Sequence, residues 1–128
     1  MSKPINQMSL EELAEYAVTL DAWEWMPGML GYRGGSVWVR IISNTQRAIR
    51  PDLSDPATLG CVLAMVRARH GRRTFVHASM GLLDFWCVVC RSPKISPQPY
   101  ATHQVKWTID GYPTEAHALI AALAMEAS

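Results

Sequence analysis

Two cysteines three positions apart, Cys87-Val88-Val89-Cys90, form the one Cys-x-x-Cys of the chain. That spacing lets paired thiolates hold zinc or exchange electrons when it falls on a tight turn or a helix start. Here two β-branched residues separate the thiols inside an alternating strand pattern, and an offset of three along a strand sends the two side chains to opposite faces. Cys61, His70, His77 and His103 are further ligand types, but their spacing follows no metal pattern. The reading is of structural thiols, with no metal and no cofactor expected.

Other reaction chemistries are equally thin. His77 and Ser79 are neighbours on one strand, without a Gly-x-Ser-x-Gly elbow or a third member to orient the base. Asp52, Asp55, Asp84 and Asp110 are the carboxylates available for general acid–base work. Asp55 is claimed by a helix cap and Asp110 by a turn. Gly34-Gly35 lacks the helix and lysine of a phosphate-binding loop. No catalytic residue is assigned, and a metal- or thiol-dependent enzyme is the weakest of the readings.

Binding chemistry is better represented. Residues 25–80 carry Arg33, Arg40, Arg47, Arg50, Arg67, Arg69, Arg72 and Arg73 against only Asp52 and Asp55, whereas residues 1–24 carry five acids against Lys3. Arginine makes forked contacts to carboxylates and phosphates and is weakly hydrated, which suits interfaces. The run Arg67-Ala68-Arg69-His70-Gly71-Arg72-Arg73 can grip a protein partner or nucleic-acid phosphates. Trp23, Trp25 and Met26 add an aromatic, adaptable patch of the kind enriched in protein interfaces. The candidate partner-binding residues are therefore Trp23, Trp25, Met26, Arg67, Arg69, Arg72 and Arg73. The bland reading is that the tryptophans cover a sheet edge and the arginines pair with the acidic first helix.

The elements that must position these residues follow from periodicity and caps. Ser9 with Glu12 forms a capping box ahead of an apolar stripe, Leu10, Leu13, Ala14, Ala17 and Val18. Gly34-Gly35 between extended runs predicts a hairpin, and Val37, Val39 and Ile41 alternate with Trp38, Arg40 and Ile42 as in a strand. Residues 44–53 read as an irregular connection. Ser54 or Asp55 caps a second helix with Pro56 in its first turn, Leu59, Val62, Leu63, Val66 and His70 on one face, and Gly71 as its stop. Strands are expected over 74–79, 83–91 and 103–109, a proline-rich loop over 92–100, and a turn at Asp110-Gly111. A last helix begins near Thr114, with Ala116, Leu119, Ile120 and Leu123 inward.

The order is α-β-β-α-β-β-β-α, which predicts an α+β fold with one mainly antiparallel sheet and helices packed on it. From Asp55 onward this is the element order of a double-stranded-RNA-binding domain. Such domains grip phosphates with lysines at the start of the last helix, where this chain has Thr114-Glu115-Ala116-His117. At 128 residues and 49% hydrophobic content the chain is expected to form one domain with a real core. No targeting signal or membrane span is read from it. Three cysteines without a disulfide framework suggest a reducing, cytoplasmic compartment.

Three stretches carry a resemblance: Trp25-Met26-Pro27-Gly28-Met29, Arg50 through Cys61, and Pro113 through Leu123. From about residue 23 onward the chain resembles a set of small tailed-phage and prophage proteins. The resemblance implies a phage accessory protein acting inside a bacterial cell, and assigns no functional residues. The expected function is non-enzymatic binding of a protein partner, with a host or defence factor as one such partner. Nucleic-acid binding through the arginines is the alternative. A homodimer is a further option, through a strand edge or the Trp/Met patch.

Overall fold

A computed structural model of the chain describes residues 3–71, 75–81, 84–93 and 103–126. Local sequence sets its helices. Ser9 Oγ accepts from Glu12 N–H while the Glu12 carboxylate accepts from Ser9 N–H, both at 3.1 Å, and this box starts α1 (Leu10–Ala17). Asp55 accepts from Thr58 N–H at 3.0 Å to start α2 (Pro56–His70), which ends at Gly71. Thr114 accepts from His117 N–H at 3.2 Å to start α3 (Glu115–Ala124). A short 3-10 turn at Ile5–Gln7 precedes α1.

The strands divide between two antiparallel sheets rather than joining in one. The smaller has the order β2-β1-β3, from β1 (Leu30–Gly34), β2 (Val37–Arg40) and β3 (Arg50–Pro51). The larger has the order β4-β5-β6, from β4 (Phe75–Met80), β5 (Trp86–Pro93) and β6 (His103–Tyr112). The first hairpin turns at Gly35 and Ser36, with φ of +57° and +67°, the sign pair of a tight two-residue connection.

Three sequence expectations are corrected. The connection over 44–53 contains β3, held because Ile49 N–H donates to Tyr32 O and Asp52 N–H to Leu30 O, both at 2.8 Å. β5 begins at Trp86 and runs on through Pro93, because Asp84, at φ +62°, belongs to the preceding turn. β6 does not stop at Asp110-Gly111 but continues to Tyr112 through a shift in register opposite Trp86 and Val88. The remainder of the expected proline-rich loop, from residue 94, lies outside the described residues.

Helix α3 is the centre of the molecule. Every residue from Ala116 to Leu123 is buried, which is the pattern of a helix enclosed on all sides rather than one with a single inward stripe. It touches α1, α2, the 3-10 turn and all three strands of the larger sheet. Val76, Val88, Cys90, Val62, Val66 and Leu13 complete the core around it. Burial of that scale, at roughly 25 cal/mol per Å² of apolar surface, is the main force holding the layers together.

Candidate partner-binding surfaces

The chemistry-bearing side chains are kept apart. Cys90 is buried in the core while Cys87 lies on the opposite face of β5, its Sγ donating to Ser79 O at 3.4 Å. Cys61 donates to Pro27 O at 3.6 Å, and burial first, then the nearby Asp55 carboxylate, pushes its thiol pKa up. His70 is buried, with Nε2 3.0 Å from Ala122 O and its ring edge-on to Trp107 at 4.8 Å. His77 pairs in register with Val89, and the side chain of His103 lies outside the described set. Among the described residues no three His, Cys, Asp or Glu side chains converge on a common point that could hold a metal.

Trp23, Trp25 and Met26 do not form one exposed patch. Trp25 is only 6% exposed and belongs to the core, where its ring lies against Gly31. Its loss as a contact residue has a packing cause: glycine at position 31 leaves a flat surface on which the indole rests. Trp23 is half-buried and meets Trp25 edge-to-face, with ring centres 5.4 Å apart. Met26 is also half-buried, its N–H directed at Met29 Sδ at 3.4 Å.

The arginine run is likewise partly committed. Arg67 Nε donates to Val76 O at 3.1 Å, joining α2 to β4. Arg69 Nε donates to Met125 O at 2.5 Å, joining α2 to the segment after α3. Arg72 and Arg73 lie outside the described residues. Among the described residues, pairing of the arginines with the acidic first helix is limited to Arg50, 3.6 Å from Glu11.

Between residues 21–24 and α2 lies an open cleft of about 350 Å³, lined by Asp21, Ala22, Glu24, Met65, Ala68 and Arg69. Its apolar floor is Ala22, Met65 and Ala68. Two carboxylates and one guanidinium stand around it, so both signs of charge are offered within one depression. Glu24 N–H points at Met65 Sδ at 3.2 Å and fixes the cleft's wall to the helix. Trp23, the most exposed of the two neighbouring tryptophans, comes from the same segment.

A second surface carried a signal in the sequence that composition alone did not single out. Trp38, Tyr32 and Arg50 stand in one cross-strand row on the outer face of the smaller sheet. The Trp38 and Tyr32 rings are 5.0 Å apart, and the Arg50 guanidinium sits 4.2 Å over the Tyr32 ring. Trp38 is 42% exposed and Ile42 78%. The alternation over 37–42 marks these as the residues turned away from Ile41 and the core. Beside the row, Arg40 donates to Asp55 at 2.6 Å and to Gly28 O at 2.9 Å, and this contact holds the Asp55 pKa below its ordinary value.

No protein family, curated protein or solved structure matches the chain. Among the described residues no helix is long and apolar enough to cross a membrane.

Proposed function

We propose that the protein is a small phage-type accessory protein that acts in the bacterial cytoplasm by binding a protein partner, a host or defence factor, without catalysis. The observation that carries this reading is the cleft between residues 21–24 and α2. Its floor is apolar, Asp21 and Glu24 stand against Arg69, and Trp23 lies in the adjoining chain. A concave apolar floor with a few charged groups at its rim suits a side chain or short segment of another protein. Of the residues singled out from sequence, Arg69 lines this cleft and Trp23 lies in the chain beside it.

The test is affinity capture from a bacterial host with the wild-type protein, Ala68→Arg and Trp23→Ala. Ala68 is exposed, so a bulky charge there fills the cleft while leaving the core alone. Retention of a defined protein by the wild type and its loss from both variants is the expected result. An unchanged set of captured proteins would count against the reading. Capture that disappears on nuclease treatment and falls steeply with salt would transfer it to the nucleic-acid alternative.

A further inference from the structure

Strand β2 is an edge strand whose outer main-chain groups meet no described partner. Ile41 exchanges hydrogen bonds with the β1 side, its N–H donating to Met29 O at 2.7 Å and its carbonyl accepting from Gly28 N–H at 2.9 Å. By strand alternation Val39 and Val37 face the same way, and Trp38, Arg40 and Ile42 direct their N–H and C=O groups outward. The Ile42 N–H is already taken by Gln46 Oε1. Among the described residues of this edge, only Trp38 and Arg40 therefore keep both an open N–H and an open C=O; Ile42 keeps its carbonyl but not its donor.

Edge strands are usually guarded by a charge, a proline or a bulge. The only charge on β2 is Arg40, and its guanidinium is drawn back over the sheet to Asp55 and the Gly28 carbonyl. Its charge is neutralised there, so its aliphatic stem is what the strand presents. Beside it stand Trp38 at 42% and Val37 at 52% exposure.

We propose that this edge pairs with the same edge of a second copy, giving a two-fold antiparallel β2–β2 seam. The register follows from which groups are open. Pairing Trp38 with Ile42 of the second copy fails, because the Ile42 donor is occupied. Pairing Trp38 with Trp38 brings Arg40 opposite Ser36, which sits in the turn at φ +67° and cannot extend the ladder. Only Trp38 opposite Arg40 of the second copy lets each open N–H meet an open carbonyl, four bonds in all. That register stacks each indole on a neutralised arginine stem and brings the two Val39 side chains face to face across the axis. The seam is short, below the standard interface of about 1,200–2,000 Å², so the dimer is weak, with a dissociation constant on the order of micromolar. This surface is distinct from the cleft and does not depend on it.

The test is sedimentation of the wild-type protein across a concentration series, together with oxidative cross-linking of variants that each carry one added cysteine beside the native Cys61, Cys87 and Cys90. Val39→Cys faces itself in a non-hydrogen-bonded pair, where Cα atoms about 4.5 Å apart suit a disulfide. Ile42→Cys is a control: Ile42 is 78% exposed but faces away from its own copy in this register. The expected result is reversible dimerisation, at least tenfold weakened by Trp38→Lys, with oxidative cross-linking of Val39→Cys well above both Ile42→Cys and the wild type. A strictly monomeric protein up to about 500 μM, far above the expected constant, would overturn the proposal. So would cross-linking that follows exposure, with Ile42→Cys ahead of Val39→Cys. Should Trp38→Lys fail to fold, the wild-type series and the cysteine pair still decide.

Discussion

The imidazole of His117, in the enclosed helix α3, binds the main-chain carbonyl of Met8 through Nε2 at 2.7 Å. Its Nδ1 lies 2.6 Å from the Thr114 hydroxyl that caps the same helix. One buried side chain therefore joins the central helix to the segment ahead of α1. The assignment that satisfies all groups has Nε2–H donating to Met8 O and Nδ1 accepting from the Thr114 hydroxyl.

Replacing His117 with Phe keeps the ring volume but leaves the Met8 carbonyl and the Thr114 hydroxyl without this partner. Leaving buried polar groups unmatched costs about 1–3 kcal/mol each. The expected loss of stability is about 2–4 kcal/mol on that basis, read as a lowered urea midpoint with an unchanged slope.

Asp55 does two jobs, capping α2 through Thr58 and pairing with Arg40. Asp55→Ala is expected to cost about 1–2 kcal/mol at neutral pH, the range of a lost cap. The Arg40 hydrogen bond, followed by those from Thr58, lowers the Asp55 pKa below 3.8 against an opposing effect of burial. A lowered pKa in the folded state means that the carboxylate contributes fully above 3.8 and loses that contribution as pH falls through its folded value. The stability gap between wild type and Asp55→Ala should therefore hold from neutral pH down to about 4 and narrow below it. A gap that stayed constant to pH 2, measured by urea unfolding, would contradict the assignment.

A methyl group added at Gly31 would lie 2.5 Å from Ala48 Cβ and 3.3 Å from the Trp25 ring. Gly31→Ala is expected to destabilise by about 1–3 kcal/mol through overpacking. Adding Ala48→Gly removes the nearer clash, so the double variant should recover part of that loss beyond additivity. A double-mutant cycle on thermal or denaturant midpoints measures the coupling.

Burial and the Asp55 carboxylate both keep the Cys61 thiol protonated. Its alkylation by iodoacetamide at pH 8 should run several-fold slower than that of a free cysteine peptide, since the thiolate is the nucleophile. Peptide mapping by mass spectrometry separates Cys61 from Cys87 and Cys90. Modification of Cys61 at the free-peptide rate would show that the thiol is not held in this way.

What the sequence made legible was whatever a few neighbouring residues decide. Ser9 with Glu12, Ser54 or Asp55 ahead of Pro56, and the region of Thr114 each mark a helix start, and in the structure the capping side chains are those of Ser9, Asp55 and Thr114. The opposite-facing Cys87 and Cys90 followed from strand alternation alone. The α+β class and the antiparallel pairing followed from element order. The division into two sheets did not, because which strand pairs with which is decided by distant packing. The two-residue strand Arg50–Pro51 is too short to leave a period. Trp25 read as surface because no periodicity covers the segment after α1; its burial depends on Gly31, a partner visible only once the smaller sheet has formed. The cleft was half legible: Arg69 was singled out, but Asp21 and Glu24 meet it and Met65 only through the packing of that segment on α2.

The all-round burial of α3 has a consequence for how the chain acquires its structure. Strands β4 to β6 and helix α2 are synthesised before their common packing partner exists, so their apolar faces stay open to water and to other chains until residues 115–124 leave the ribosome. Contacts between α3 and the segment around Met8 then close a loop of more than a hundred residues. Long-range closure of this kind slows the search for the native state. Synthesis would therefore leave a window of sticky, half-built protein, in which a chaperone has most to do and in which a chain cut off just short of Glu115 would lack the helix that its layers share.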